Sequence, residues 1–154
     1  MKPSSTLFLK SVVFLIGLAV LALCVLALPA GIMSDRAGYY RPILLGLYIP
    51  AIPFFYALYQ AIRILNFIDK NNIFSEVSIV AFKKIKYCAL TISALFAAGM
   101  PYIFYVGDKD DAPGVIAIGF IIIFASIVIA TAAGVFQSLV QNAVDIKSEN
   151  DLTV

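Results

Sequence analysis

Four long runs without a charged residue constrain this chain more than any other feature of its sequence. They cover residues 11–28, 43–62, 87–106 and 115–139, and none contains Asp, Glu, Lys or Arg. About 20 apolar residues in a helix cross a hydrocarbon core of about 30 Å. No water is available there to satisfy backbone amides, so each run is predicted to be helical. The sequence therefore predicts four transmembrane helices, the first of which is expected to stop at Pro29 and Gly31.

The composition agrees with a membrane location. The chain is 62% hydrophobic and 13% charged, whereas soluble domains carry about 25% charged residues. Its mean hydropathy is +1.00. We predict an all-α integral membrane protein with a single domain over residues 1–154. Its four helices form an up-down bundle, with a cytoplasmic loop over residues 63–86 and a cytoplasmic tail over residues 140–154.

Lysine and arginine in the connecting segments predict the orientation, because cytoplasmic segments are enriched in both. Eight lie before the first run, between the second and third, or in the tail: Lys2, Lys10, Arg63, Lys70, Lys83, Lys84, Lys86 and Lys147. Three lie in the other two connections: Arg36, Arg41 and Lys109. The excess predicts that both termini and the 63–86 segment lie in the cytoplasm.

Several classes of chemistry are unexpected here. The chain has no histidine, the usual general base and metal ligand at neutral pH. Its acidic residues fall in polar segments at both predicted ends, where they cannot converge as catalysis requires.

Cys24 and Cys88 are predicted at different depths, about 18 Å apart along the bundle, which excludes a disulfide. The net charge of +2 is too small for nucleic-acid binding. We predict no catalytic residue, metal site, cofactor or direct nucleic-acid contact.

Three prolines are predicted to kink or locally unwind their helices. Pro50 and Pro53 lie in the middle of the second run, and Pro101 lies towards the end of the third. Proline lacks an amide hydrogen and clashes with the carbonyl one turn earlier. Such a break can line a ligand cavity, as in transporters, or can only shape the helix for packing. The absence of charge nearby favours packing.

Small residues recur every four positions in the fourth run, at Ser126, Ala130, Gly134 and Ser138. This spacing places them on one stripe that another helix can approach closely. A matching stripe in the third run is formed by Ala89, Ser93 and Ala97. The stripes fit contact within one chain or a homo-oligomer, and the sequence does not distinguish the two.

The 63–86 segment and the tail are the polar parts with recognisable local structure. Asp69 to Asn72 reads as a turn, and Ser75 as a helix N-cap followed by Glu76 in the first turn. The basic helix that follows, with Lys83, Lys84 and Lys86, is predicted to rest on the anionic inner leaflet and to lead into the third run. The tail ends with Glu149, Asp151, Leu152 and Val154, and is predicted to fray or to be captured by a partner.

Two strings resemble a bacterial membrane family known as domain of unknown function 2975. They are Ile73-Phe74-Ser75-Glu76 leading to Phe82-Lys83-Lys84-Ile85-Lys86-Tyr87, and the ending Glu149-Asn150-Asp151-Leu152-Thr153-Val154. The similarity extends over nearly the whole chain. Family members often accompany a small helix-turn-helix regulator, so the resemblance implies a membrane-bound partner of such a protein. It implies no catalytic residue.

The leading hypothesis is a regulatory protein of the bacterial plasma membrane that binds a cytoplasmic helix-turn-helix regulator. Its docking residues would be Ser75, Glu76, Lys83, Lys84, Lys86, Glu149, Asp151, Leu152 and Val154. The alternative is a transporter or exporter component, with the proline-kinked second helix lining a path. That path would use the polar positions Gln60, Thr91, Ser93, Ser126 and Thr131.

Overall fold

The fold is described from a computed structural model, which covers residues 3–35 and 38–152. Within those ranges the chain is helical and has no strand. The α-helices are α1 (Pro3–Ala22), α2 (Leu28–Ile32), α3 (Arg41–Gly46), α4 (Tyr48–Asp69), α5 (Glu76–Lys109) and α6 (Pro113–Leu152). A π-helical segment, Leu23–Ala27, joins α1 to α2, and a 3₁₀ turn, Gly38–Tyr40, precedes α3.

Four helical stretches are long and apolar enough to cross a membrane: Ser5–Ile32, Arg41–Asp69, Glu76–Lys109 and Pro113–Asn150. This confirms the predicted all-α class with four spans. The protein is a multi-pass membrane protein. Its cytoplasmic orientation stays a prediction from the lysine and arginine count.

Two tight turns of the same kind make successive helices antiparallel. Asn71, just past the end of α4, has a backbone φ of 54°, and Asp111, just past the end of α5, has a φ of 49°. A residue of this left-handed conformation just past a helix lets later amides bond back to the last turn. The amide of Asn72 donates to the Phe67 carbonyl at 2.7 Å, and the amide of Ala112 donates to the Gly107 carbonyl at 2.8 Å. The turn predicted at residues 69–72 is therefore confirmed.

The core of the bundle lies between α5 and α6, which pack along most of their length. The Phe82 and Phe136 rings stack with centroids 5.8 Å apart. At another point of this contact the backbone of α6 lies close to a side chain of α5, because a methyl group added at Gly119 would lie only 2.7 Å from the Met100 sulfur. Small side chains on facing stripes make this approach possible.

The predicted small-residue stripes meet within the chain over most of their length. Buried members are Ser126 and Ala130 on α6 and Ala89 and Ser93 on α5. Gly134 is half-buried, with the methylenes of Lys86 beside its Cα. Ser138 and Ala97 are exposed and lie outside this contact. The stripe that was open to two interpretations is thus occupied by α5, and a homo-oligomer through the same residues would have to displace that helix.

The helices extend well beyond the apolar runs that predicted them. α5 has 34 residues and α6 has 40, which correspond to about 51 and 60 Å at 1.5 Å per residue. Both exceed a hydrocarbon core of about 30 Å. The segment expected as a loop over residues 63–86 is helical except for residues 70–75, and the tail is helical to Leu152. Apolar runs locate the hydrocarbon, whereas these helices continue into the water on either side.

The first span passes through Pro29, where the sequence suggested that it stops. The amide of Leu28 donates to the Leu23 carbonyl, five residues back, instead of to Cys24. The amide five residues after Cys24 belongs to Pro29, which has no hydrogen to donate. The Tyr48 hydroxyl from the second span donates to the Cys24 carbonyl at 2.8 Å and completes the hydrogen bonding. A π-turn and one tyrosine therefore carry the helix past the proline.

The second span is interrupted at Leu47, between α3 and α4. Pro50 lies three residues later, in the first turn of α4, where a missing amide hydrogen costs no helical bond. Its ring would clash with the Gly46 carbonyl in an unbroken helix, which accounts for the interruption. Pro53 and Pro101 lie inside α4 and α5, which are not locally unwound there. Their predicted kinks stay predictions.

Candidate functional site

The start of α5 is fixed by a cap that the sequence predicted. Ser75 has an extended backbone, and its Oγ accepts a hydrogen bond from the amide of Ser78 at 3.4 Å. The same hydroxyl donates to the Asn72 carbonyl at 2.8 Å. Glu76 is exposed in the first turn, where the helix dipole favours a carboxylate. Ser75 is therefore already bonded within the chain, whereas Glu76 is accessible to a partner.

The beginning of α5 packs partly against protein and continues directly into the third span, as predicted. Its contact with the inner leaflet stays a prediction. Ser78, Ile79 and Ala81 are buried, and α5 continues unbroken to Lys109. The charge pattern indicated a basic amphipathic helix, but it did not reveal that the neighbouring helices extend equally far. Their extensions cover Ala81, whereas Val77 and Val80 on the same predicted apolar side are 48% and 45% exposed.

The three lysines of α5 lie about two turns further along, at the end of the bundle predicted to be cytoplasmic. Lys83 is exposed, with its ammonium 6.0 Å from the centre of the Tyr87 ring. Lys84 extends towards α4, 6.0 Å from the Tyr56 ring, and Lys86 lies along Gly134 of α6. Among residues 3–35 and 38–152, none of the three has a carboxylate within 4.0 Å; the ion pair described there joins Lys10 and Asp69 at 2.6 Å.

A polar pair at this end, formed by buried Gln60 and partly exposed Arg63, was not predicted as a unit. Gln60 is 1% exposed, and its Oε1 accepts a hydrogen bond from Arg63 Nη1 at 3.2 Å. The Arg63 guanidinium also lies over the Tyr59 and Phe67 rings at 6.0 and 5.6 Å. A buried amide without a partner is costly, so Arg63 stabilises this turn of α4. The spacing of three residues was the signal in the sequence, since it places both side chains on one helix face.

The end of α6 projects beyond the start of α5. Phe82 of α5 lies opposite Phe136 of α6. Because the two helices are antiparallel, Glu76 lies level with about Asn142. The ten residues of α6 after Asn142 extend about 15 Å beyond the start of α5. Residues 145–150 are exposed, and the apolar side chains of Ile146 and Leu152 are 59% and 83% exposed. Val154 and the Asp151 side chain lie outside the described part of the chain.

The predicted docking residues therefore occupy two levels. Lys83, Lys84 and Lys86 lie near the end of the hydrocarbon, whereas Glu149 and Leu152 lie on the projecting end of α6. From the register above, Lys83 and Glu149 are about 21 Å apart along the bundle. One small contact cannot cover both levels, so the lysines and the α6 end are separate candidate surfaces.

The opposite end of the bundle is tied together by side chains from its connections. The Tyr40 hydroxyl donates to Asp110 Oδ2 at 2.8 Å, and this hydrogen bond to the carboxylate raises the pKa of Tyr40. Arg41 donates to the carbonyls of Ile32 at 3.0 Å and Ser34 at 3.2 Å, which caps the end of the first span. These contacts give the acidic third connection a structural role.

Comparisons with known proteins agree with the two sequence strings noted above. The family described as protein of unknown function (DUF2975) matches residues 26–154. The chain is 51% identical over 160 aligned positions to the uncharacterized membrane protein YoaS of Bacillus subtilis (strain 168), and the alignment covers all of both chains. No solved structure gives a significant match. The chain therefore belongs to the DUF2975 family of membrane proteins.

Proposed function

We propose that the protein is a regulatory membrane protein of the bacterial plasma membrane that holds a small cytoplasmic helix-turn-helix regulator at the inner face. The docking surface is the projecting end of α6, from about residue 143 to Leu152, together with Glu76 at the start of α5. The class of partner comes from the family resemblance, in which members accompany such regulators.

The observation that supports docking most strongly is the exposure of Ile146 and Leu152 on a segment beyond the hydrocarbon. Their side chains are 59% and 83% exposed, and the register between α5 and α6 places them past the start of α5. In water, exposed apolar side chains on a projecting helix favour burial in a partner's groove. The neighbouring Glu149 adds charge that suits a basic DNA-binding protein.

The experiment is co-purification from native membranes with the helix-turn-helix regulator identified by mass spectrometry. We expect the full chain to retain the regulator and a chain ending at Ala143 to lose it. Ile146→Ser should lower the yield, because it removes an apolar contact without breaking the helix. Lys147→Gln is the control, since its exposed side chain lies on the side of the helix away from Ile146, Glu149 and Leu152 and its loss should leave the yield unchanged. Equal recovery with the full and shortened chains would remove the α6 end from the proposal.

Transport receives less support from the geometry, because three of the five polar side chains suggested for a path lie apart, and the other two, Ser93 and Ser126, are buried in the contact between α5 and α6. Thr91 and Thr131 are exposed on the outside of the bundle, and their hydroxyls donate to the carbonyls of Tyr87 and Ile127 on their own helices. Gln60 is bonded to Arg63 near one end. We likewise propose no catalytic role, since the acidic side chains lie at opposite ends of the bundle.

A further inference from the structure

A cavity of about 500 Å³ lies between the four spans, and each span contributes to its wall. Cys24 comes from the π-helical segment of the first span, Phe54 and Leu58 come from α4, Ile85 comes from α5, and Ser126 comes from α6. Cys24 and Ser126 are the lining residues with a side-chain heteroatom. Such a wall offers almost no hydrogen bonds to water, so an apolar occupant is favoured.

The cavity opens sideways towards the bilayer. α1 packs chiefly on α4 and makes no extended contact with α6 in the part of the chain that is described. Because both helices nevertheless line the cavity, the space between them is its opening. An opening at this depth faces lipid acyl chains.

Cationic side chains flank one end of the cavity. Ile85 forms the wall there. On one side of it the Lys84 ammonium lies 6.0 Å from the Tyr56 ring of α4, and on the other side Lys86 runs along Gly134 of α6 with its ammonium 5.9 Å from the Tyr87 ring. Neither ammonium is paired with a carboxylate among the described residues. Two unpaired cations beside an apolar cavity suit an anionic group that is attached to a hydrocarbon chain.

We propose that the cavity binds one acyl chain of an anionic phospholipid, and that Lys84 and Lys86, whose long side chains turn from these rings towards Ile85, bind its phosphate. The volume argues against a helix from a second copy of the chain, because a cylinder of about 10 Å diameter would fill 500 Å³ within about one helical turn. An acyl chain is narrow enough to enter between α1 and α6. The lipid would then join α1 to the remainder of the bundle.

The absence of tryptophan from the chain allows a clean test. Phe54→Trp places a fluorescent reporter in the cavity wall of the full chain, reconstituted into phosphatidylcholine vesicles with a low fraction of lipid brominated on its acyl chains. We expect brominated phosphatidylglycerol to quench the reporter severalfold more than brominated phosphatidylcholine does. Each lysine near an anionic lipid favours binding by about fivefold, so Lys84→Gln with Lys86→Gln should abolish the difference.

Two controls separate this site from general attraction of anionic lipid. Phe124→Trp places the reporter on the lipid-facing side of α6, where the native side chain is 71% exposed, and both brominated lipids should quench it equally. Lys70→Gln removes an exposed lysine at the same end of the bundle, about 21 Å along the helix axis from Tyr56, and should preserve the preference. Equal quenching of the Phe54→Trp protein by both lipids, or no quenching by either, would overturn the proposal. If the Phe54→Trp protein fails to fold, Leu58→Trp places the fluorescent reporter on the same wall of the cavity. Phospholipid alone is measured, so the result is independent of the cytoplasmic partner.

Discussion

Replacing Ala130 with phenylalanine should destabilise the protein by about 1–3 kcal/mol, because overpacking a close helix contact forces backbones and side chains apart. Ala130 is 3% exposed and lies on the α6 stripe that meets α5. That contact is the largest in the bundle, and small residues allow it to be close. The measurement is the unfolding midpoint in a detergent titration followed by circular dichroism.

Ala132→Phe is the matched control, since it makes the same change on an exposed face of the same helix. We expect it to leave the midpoint nearly unchanged. The pair also tests the other interpretation of the stripe. If Ala130→Phe reduced a dimer to monomers without lowering the unfolding midpoint, the stripe would be a contact between chains and the packing described here would be wrong.

Replacing Tyr48 with phenylalanine should lower the free energy of unfolding by about 1–3 kcal/mol, the penalty for leaving a carbonyl group inside the hydrocarbon without its hydrogen bond. The Tyr48 hydroxyl donates a hydrogen bond of 2.8 Å to the Cys24 carbonyl, and inside the hydrocarbon no water can take its place as donor. The same detergent titration measures the loss. Tyr59→Phe, on an exposed position of the same helix, should have little effect.

Pro29→Ala should remove most of the cost of Tyr48→Phe when the two changes are combined. An alanine at this position restores an amide hydrogen, so the helix can return to four-residue bonding and the Leu28 amide can donate to the Cys24 carbonyl. Strictly additive losses in the double variant would contradict this explanation of the π-turn.

Local signals in the sequence predicted the parts of the fold that depend on near neighbours. The uncharged runs identified all four spans, because hydrocarbon imposes the same requirement on every segment that crosses it. Ser75 was predicted as an N-cap because capping involves residues only three positions away. The turn at Asn71 follows from the same local chemistry.

The features that were missed depend on distant partners or on helices in water. Pro29 suggested a helix end, and only the approach of Tyr48 from another span allows the π-turn to continue it. The end of α6 is exposed on nearly all sides, so no apolar periodicity marks it as a helix. A hydrogen bond from Gln141 to Asp145 at 3.1 Å supports one turn of it, but one such pair contributes only about 0.2–0.5 kcal/mol.

The docking residues were predicted as one surface because the 63–86 segment and the tail were both assigned to the cytoplasmic side of the membrane. A continuous α5 instead fixes Lys83, Lys84 and Lys86 near the hydrocarbon, level with about residues 132–135 of α6. Sequence strings identified both groups correctly as polar segments at one end of the bundle. Their separation along the axis follows only from the register of α5 against α6.

The proposed function depends most directly on which side of the membrane holds the start of α5 and the end of α6. Single cysteines in a Cys24→Ala, Cys88→Ala background measure this with a membrane-impermeant maleimide on intact cells. We expect Lys70→Cys and Ser148→Cys to react only after lysis, and Asp108→Cys to react in intact cells. Reaction of the first two in intact cells, with protection of the third, would place the docking surface outside and contradict the proposal.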